Sequence, residues 1–142
     1  MPTRLRDLVV DRVPVTAKPN QFRSAQYRHT GRMRLVGMML IRNAAPRLRW
    51  KLDEMSTYCD GVVVVDDRSE DRSFAIARSH PLVCDVVTMP APGGPNVEWL
   101  IPEDVLMSTL SRPAAAENPD WGIRLDDDEY VDGSESLRAV LD

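Results

Sequence analysis

The chain has 142 residues and a formal net charge of −4; 43% of its residues are hydrophobic and 28% are charged. This length suits one domain with its own core, and no apolar run approaches the ~18 residues of a membrane-spanning helix. The first residues lack the apolar segment of a secretory signal, and the two cysteines form no Cys-x-x-Cys pair, which disfavours a thiolate zinc site and favours a reducing, cytoplasmic setting.

The charged residues are distributed unevenly along the chain. Residues 1–34 contain eight Lys/Arg and two Asp/Glu, whereas the other residues contain ten Lys/Arg and twenty Asp/Glu. We therefore expect a basic arm at residues 1–32, which is flexible or lies on its own acidic domain, and one domain at residues 33–142. Binding of the arm to nucleic acid is a weaker hypothesis, because the acidic body of the chain would repel the phosphates.

From residue 35 onward, apolar runs of strand length alternate with segments of helical spacing. Residues 35–41 and 62–65 are apolar at consecutive positions, which is typical of strands buried on both faces of a parallel sheet. Between them, Pro46 predicts the first turn of a helix, and one apolar stripe follows it. The stripe consists of Leu48, Leu52, Met55 and Cys59.

The rest of the chain repeats this order of strand and helix. Ser69 predicts the N-cap of a second helix, and residues 82–89 predict a third strand. A loop rich in proline and glycine at residues 90–95 precedes a helix that starts at Pro102. The alternation predicts an α/β fold with a mostly parallel sheet flanked by helices. The last predicted elements are a loop at 113–119, a fourth strand at 120–125 and a short helix at 133–141.

Polar side chains come directly after three of the predicted strands. Arg42 and Asn43 follow the first strand, Asp66 and Asp67 follow the second, and residues 126–129 follow the fourth. In an open parallel sheet, ligands bind beyond the carboxyl ends of the strands, so we expect neighbouring strands to bring the acidic groups into one pocket. Two carboxylates about 4 Å apart repel by roughly 4 kcal/mol at an effective dielectric near 20, so the pocket needs a cation, hydrogen-bond donors or water.

The acidic segment after the fourth strand also predicts a metal site. Because side chains alternate along a strand, Asp126 and Asp128 would project to one side and Asp127 to the other. Paired carboxylates are hard oxygen ligands that suit Mg²⁺ or Mn²⁺ and leave coordination positions for substrate phosphates. An EF-hand loop starting at Asp128 is disfavoured, because its third and twelfth positions are Tyr130 and Ala139.

Three segments of the chain together resemble a known pattern. They are MLIRN at residues 39–43, VDDRSEDRS at residues 65–73 and LDDDEY at residues 125–130. The second resembles the Val-Asp-Asp-Gly-Ser-x-Asp-x-Thr segment of the family 2 glycosyltransferases, which have the GT-A fold. The third resembles their Leu-Asp-Ala-Asp-Glu-Phe segment, which contains the DxD motif, and the first resembles a strand that usually ends in Lys-Asn-Glu. The resemblance covers about residues 33–140.

This resemblance implies transfer of a sugar from a nucleotide-diphosphate sugar to an unknown acceptor, with Mn²⁺ or Mg²⁺ as the cofactor. It implies that Asp67 contacts the base and that Asp66 supports the same loop. It also implies that Asp126 lies near the ribose or the sugar, and that Asp128 together with Asp126 binds the metal. The other substrate-binding residues that the resemblance implies are Arg42, Asn43, Arg68 and Asp127.

The chain departs from the family pattern in three places. Arg68 stands where the family has glycine, which is costly if that position needs a positive φ. Ala44 stands where the family has glutamate. The chain ends soon after Asp128, whereas the acceptor-binding half and the catalytic base of the family come later. We therefore expect a partial GT-A-like domain, truncated after the DxD strand, and we assign no catalytic residue.

A second hypothesis belongs to another functional class. Because the acceptor half of the family is missing, the chain could act as a non-catalytic module that binds a nucleotide or a metal. The sequence does not determine the sugar, the base, the acceptor or the stereochemical outcome. An unfinished sheet edge would also allow the chain to self-associate.

Overall fold

The computed structural model describes residues 2–4, 10–11, 32–89 and 103–142. They form the predicted α/β fold, with a mostly parallel sheet flanked by helices. None of the helices in these ranges combines the length and the apolar character that spanning a bilayer requires. The strands are β1 (Pro2–Arg4), β2 (Val10–Asp11), β3 (Leu35–Ile41), β4 (Gly61–Asp66), β5 (Val83–Thr88), β6 (Trp121–Arg124) and β7 (Tyr130–Asp132). The helices are α1 (Ala45–Met55), α2 (Ser73–Ser79), α3 (Glu103–Ala116) and α4 (Ser134–Leu141).

Strand β3 is at the centre of the main sheet. In the described part of the chain, the parallel strands follow the order β6-β3-β4-β5, and β2 pairs antiparallel with β6. The register places Ile41 of β3 opposite Asp66 of β4, and Met38 of β3 opposite Arg124 of β6. Because these strands run in one direction, the segments that follow β3, β4 and β6 all leave the sheet at the same edge.

Helices cover both faces of the sheet. Side chains alternate along each strand, so the apolar strands present apolar side chains on both faces. On one face, Leu35 and Met39 of β3 pack in a cluster with α1, α2 and α4. On the other face, Val36 and Met38 pack in a second cluster with α3. Burial on two faces explains the continuous apolar runs in the sequence.

Helix α1 packs on β3 through Leu48, Leu52 and Met55 of its predicted stripe, and their burial is confirmed. The helix ends at Met55, so the prediction that it continues to Cys59 is wrong. Pro46 lies in the first turn, where its missing N–H removes no helical hydrogen bond. A Cβ atom at Gly37 of β3 would lie only 2.6 Å from Met55 Cε, so glycine allows α1 to approach the sheet closely. Lys51, within the same stripe, is also fully buried. The buried members of the predicted stripe are Leu48, Leu52, Met55 and Cys59.

Helix α2 begins at Ser73, so the prediction that Ser69 is its N-cap is wrong. The Oγ atom of Ser69 instead accepts a hydrogen bond from the Asn43 N–H at 2.9 Å. The next N–H, of Glu70, donates to Asn43 Oδ1 at 2.8 Å. These bonds hold residues 69–70 against the β3–α1 connection, and such side-chain bonds compete with helix formation.

Helix α3 continues to Ala116, so the prediction of a loop at residues 113–119 is wrong at its start. Pro113 lies inside the helix, although proline removes a donor and crowds the preceding turn. Packing of one apolar side against the sheet offsets this cost. The buried residues on that side are Leu106, Leu110 and Ala114.

Two short strands belong to the predicted basic arm. Strand β1 pairs parallel with β7, and β2 pairs antiparallel with β6. Strand β7 is absent from the sequence prediction, because a strand of three residues shows no periodicity. The rest of residues 1–31, the predicted loop at 90–95 and the predicted helix start at Pro102 lie outside the described residues.

Asp60 anchors the amino end of β3. Its Oδ2 atom accepts the Leu35 N–H at 2.8 Å, and its two oxygens accept Arg138 Nη2 at 3.1 and 2.9 Å. Arg32 Nη2 donates to the same carboxylate at 3.0 Å. The aspartate therefore joins the central strand to α4.

We predict that Asp60→Ala lowers the free energy of unfolding by about 1–3 kcal/mol, because the buried Leu35 N–H loses its acceptor. Urea denaturation measures this change. Asp132→Ala, at an exposed position, is the matched control and should change the free energy by no more than about 0.5 kcal/mol. Equal midpoints for the two variants would contradict the anchoring role.

Candidate functional site

The two acidic motifs lie at the carboxyl edge of the sheet, on either side of β3. Asp66 ends β4 opposite Ile41, and the Leu125 N–H continues the β6 ladder to Met38 O at 3.1 Å. The expectation that the two strands are direct neighbours is wrong, because β3 lies between them. Two strand spacings separate their backbones by roughly 10 Å. Arg42 and Asn43, which follow β3, leave the sheet between the two motifs.

Asp66 is buried at this edge, with 3% of its surface exposed. Its Oδ2 atom accepts the Ser69 N–H at 3.1 Å, whereas its Oδ1 atom is buried and has no hydrogen-bond partner among the described residues. A buried carboxylate oxygen without a partner is costly. The carboxylate therefore has unused capacity to accept a hydrogen bond.

Asp67 contacts two guanidinium groups at this edge. Arg42 Nη1 lies 3.5 Å from its Oδ2 atom, and Arg68 Nε donates to its Oδ1 atom at 3.1 Å. Arg42 follows β3, so this pair joins the ends of two adjacent strands. The structure thus brings together three of the predicted substrate-binding residues.

The loop after β4 caps the amino end of α1. Ser73 Oγ accepts the Ala44 N–H at 2.7 Å, and Asp71 Oδ2 accepts the Ala45 N–H at 3.1 Å. Hydrogen bonds, first that of the Ser73 side chain, lower the pKa of the Asp71 carboxyl. Oδ1 of Asn43, a residue predicted to lie near a nucleotide, accepts the Glu70 N–H of the same loop at 2.8 Å. The bonds of Ser73 and Asp71 supply hydrogen-bond acceptors for backbone N–H groups that have no partner within the first turn of a helix.

Two residues at this edge have left-handed backbones. Asn43 has φ of 49° and Arg68 has φ of 52°. Asparagine tolerates this conformation, whereas arginine has a Cβ atom that crowds the backbone there. Arg68 therefore occupies, under strain, the position where the resembling family has glycine.

The segment at residues 126–129 is a turn rather than the end of a strand, and we call it the acid turn. Strand β6 ends at Arg124, so the expected alternation of the three aspartates along a strand is wrong. The Glu129 N–H donates to Asp126 O at 3.1 Å, and the Asp126 N–H donates to Glu129 Oε2 at 2.8 Å. These reciprocal bonds close the turn and engage the Oε2 atom of Glu129.

The three aspartates of the acid turn have different surroundings. Asp128 is exposed, whereas Asp127 is buried. Arg47 Nε of α1 lies 2.5 Å from Asp127 Oδ2 as an ion pair, although it is not aligned for a hydrogen bond. Desolvation, followed by the charge of Glu129, raises the pKa of the half-buried Asp126 carboxyl, and Arg124 opposes the shift. Negative charge is therefore concentrated around Asp126.

The sequence analysis missed two cations of α1 that contact the acid turn. Arg47 pairs with Asp127, and Lys51 Nζ donates to the main-chain oxygen of Glu129. They are one helical turn apart, so both point toward the same neighbour. The available signal was a lysine at an apolar position between Leu48 and Leu52, where the stripe predicts burial.

The carboxylates of the acid turn suit a divalent metal whose remaining coordination positions are filled by a substrate. Among residues 32–89 and 106–142, no three His, Cys, Asp or Glu side chains form a group able to hold a metal ion. Mg²⁺ commonly binds one or two protein carboxylates together with substrate phosphates, so a complete protein cage is unnecessary. The carboxylates of Asp126 and Asp128 fit this smaller requirement.

Among the described residues, the two cysteines and His80 are the other candidates for nucleophilic or acid–base chemistry. Burial raises the pKa of the Cys59 thiol and, to a smaller extent, that of the Cys84 thiol, which disfavours their reactive thiolate forms. His80 Nδ1 accepts the Leu82 N–H at 3.2 Å, and its Nε2 atom lies 2.8 Å from Asp53 Oδ1. A groove between α2 and β5 contains no predicted site residue. Its lining residues are Phe74, Arg78, Val83, Cys84, Asp85 and Val86.

No family model matches the chain. Over 109 residues the chain is 38% identical to an uncharacterized protein of Mycobacterium bovis, and it has the same identity to an uncharacterized protein of Mycobacterium tuberculosis. Each alignment covers 77% of this chain and 26% of the relative. The chain thus spans about a quarter of the length of these curated relatives.

Among solved structures, the chain is similar to glucosyl-3-phosphoglycerate synthase from Mycobacterium tuberculosis in complex with Mn²⁺, uridine diphosphate and glucosyl-3-phosphoglycerate. The TM-score is 0.48, the sequence identity is 17%, and the match covers 79% of this chain and 39% of the other. A TM-score below 0.5 does not establish a common fold, so a functional assignment has to rest on the residues of this chain.

We predict that Arg68→Gly is more stable than Arg68→Ala by roughly 1 kcal/mol, because both variants lose the side chain but only glycine relieves the left-handed backbone. Thermal or urea denaturation measures the difference. Arg72 is the matched control, since its φ is −80° and the order of its glycine and alanine variants should be reversed. The same order at both positions would contradict the strain.

We also predict that Ser73→Ala lowers the free energy of unfolding by about 1–3 kcal/mol, because the buried Ala44 N–H loses its acceptor. The exposed Ser79 of the same helix, whose Oγ–H donates to Ile76 O at 3.1 Å, provides the control variant Ser79→Ala. Chemical denaturation should show the larger loss for Ser73→Ala. A loss no greater than that of the control would exclude a capping role.

Proposed function

We propose that this chain is the nucleotide-sugar-binding part of a glycosyltransferase, with a GT-A-like domain at residues 33–142. The observation that carries the proposal is the joint placement of the two acidic motifs at one sheet edge, on either side of β3. Asp66 has a buried carboxylate oxygen with unused capacity, and the acid turn concentrates negative charge around Asp126. Both features suit a ligand that brings hydrogen-bond donors and a cation.

In this proposal the loop after β4 binds the nucleoside. Asp67 contacts the base, and Asp66 supports the loop through its bond to the Ser69 N–H. The base edge of a uracil or a guanine supplies N–H groups that can donate hydrogen bonds to a carboxylate. Arg42 already lies beside Asp67, so it is positioned to orient that carboxylate. The base is thereby placed next to the carboxyl end of β3.

The two arginines at the edge contact the diphosphate in this proposal. Arg42 and Arg68 both lie against Asp67, so both guanidinium groups are next to the loop that would bind the nucleotide. Guanidinium groups bind phosphate oxygens bidentately, which fixes both position and charge. Asn43 acts indirectly, since its amide holds the Glu70 N–H and thereby the shape of the loop.

Asp128 and Asp126 hold Mn²⁺ or Mg²⁺, and Asp126 also lies near the ribose or the sugar. When bound, such an ion stabilises the negative charge that develops on the departing nucleotide diphosphate. Asp127 contributes by keeping the acid turn on α1 through Arg47. The carboxylate of Glu129 closes the turn, so it is not assigned as a general base.

A non-catalytic module that binds a nucleotide and a metal is the second candidate. The contact of Glu129 favours it, because Glu129 Oε2 accepts the Asp126 N–H and so closes the turn rather than facing a substrate. Release of free sugar from a nucleotide-diphosphate hexose distinguishes the two candidates. Slow metal-dependent release supports the transferase, whereas binding without release supports the module.

We predict that the chain binds uridine or guanosine diphosphate with Mn²⁺ present and that Asp128→Asn weakens this binding by at least about ten-fold, because an ion ligand is removed. Isothermal titration calorimetry with and without Mn²⁺ measures the effect. Asp132→Asn, exposed and outside the acid turn, is the matched control and should bind as the wild type does. Absence of binding to either nucleotide with Mn²⁺ would overturn the proposal.

A further inference from the structure

Lys51 is a charged residue at a buried position, where a charge is energetically unfavourable. It is fully buried in the apolar stripe of α1, next to Leu48 and Leu52. Removing an ammonium group from water costs several kcal/mol unless partners compensate for the lost hydration. The contacts of the ammonium group therefore indicate what the residue does.

Its partners come from α1 itself and from the acid turn. Lys51 Nζ lies 2.9 Å from Glu54 Oε2, and Glu54 also accepts the Tyr58 hydroxyl at 3.2 Å. The same Nζ donates to the main-chain oxygen of Glu129 and lies 4.9 Å from the centroid of the Tyr130 ring. The lysine is thus anchored on the helix side and bonded to the backbone on the turn side.

This arrangement leaves the metal-binding carboxylates available. In the described part of the chain, neither Lys51 nor Arg47 forms a hydrogen bond or ion pair with the side chains of Asp126 or Asp128. The two cations hold the turn through the Glu129 oxygen and the Asp127 carboxylate instead. They therefore position the turn without neutralising the groups that would bind a metal.

The Trp50 ring packs against the Tyr130 ring, which Lys51 also contacts. Its centroid lies 5.1 Å from that of Tyr130, with the planes at 67° in an edge-to-face arrangement. Tyr130 is therefore held between Trp50 and Lys51, directly after the acid turn. Three contacts therefore fix the turn relative to α1, and they come from Arg47, Trp50 and Lys51. The first N–H groups of the same helix are bonded to Ser73 and Asp71, which follow β4.

We infer that Lys51 is a positioning residue that sets the acid turn, and with it Asp126 and Asp128, at the distance from the β4 loop that a metal-bound nucleotide diphosphate requires. This inference rests on the proposed function for the identity of the ligand. The positioning itself does not require a ligand and can be measured without one.

The test compares Lys51→Met with Glu54→Gln. Lys51→Met keeps an apolar chain of similar length in the buried stripe but removes the bond to Glu129 O. Glu54 loses its partner, but 20% of its side chain is exposed and it still accepts the Tyr58 hydroxyl. Glu54→Gln changes charge in the same cluster and leaves an oxygen to accept Lys51 Nζ, so it controls for loss of stability alone.

Hydrogen–deuterium exchange of peptides covering residues 125–131, without metal or nucleotide, is the first measurement. We expect exchange in Lys51→Met to be about ten-fold faster there than in the wild type and unchanged in β4, with Glu54→Gln close to the wild type. Calorimetry with uridine or guanosine diphosphate and Mn²⁺ is the second measurement. Loss of a supporting contact typically weakens metal binding about 10–100-fold, and we expect this for Lys51→Met alone.

Unchanged exchange at residues 125–131 in a folded Lys51→Met protein would overturn the inference. If the wild type binds neither nucleotide, the proposed function fails, and the exchange measurement alone still decides the positioning role. If Lys51→Met does not fold, Arg47→Gln replaces it, since this half-exposed side chain holds the same turn through Asp127. Arg47→Gln should also accelerate exchange in the turn, and no acceleration would contradict positioning by α1.

Discussion

Helix α1 has to bind two acidic segments at once, and the candidate site depends on this constraint. Its first N–H groups are bonded to Ser73 and Asp71, which follow β4. One and two turns later, Arg47 and Lys51 bind the acid turn that follows β6. Since α1 also packs on β3 between these strands, one rigid element determines how far apart the two motifs lie.

The distribution of compensated and uncompensated charge follows from this geometry. Asp67 and Asp127 face guanidinium groups, of Arg42 and Arg47 among others, so their carboxylates are neutralised within the protein. Asp66 retains a buried oxygen without a partner among the described residues, and Asp126 has its pKa raised by desolvation and nearby acids. In the proposal, the metal would bind Asp126 together with Asp128, whereas Asp66 supports the loop whose Asp67 contacts the base.

Local strain is concentrated at the same edge. Asn43 and Arg68 have left-handed backbones in the two connections that face each other there. Side-chain bonds between these connections, such as that of Ser69 to the Asn43 N–H, hold both conformations. Strain of this kind persists where surrounding contacts determine it, and it often occurs at binding sites.

The sequence by itself determined the α/β class, the buried strands β3 and β4, the stripe of α1 and the positions of the acidic motifs, because apolar period and strand ends are local properties. It also indicated that arginine at position 68 is unfavourable if the backbone there has a positive φ, but it did not determine that φ. The tertiary structure alone decided that α2 starts at Ser73, that α3 passes through Pro113 and that the acid turn is closed by Glu129. It alone showed that Lys51, 78 residues before Glu129, holds that turn. Each of these outcomes depends on contacts between distant segments, and a local pattern of residue types carries no record of which distant partner will satisfy a buried donor or charge.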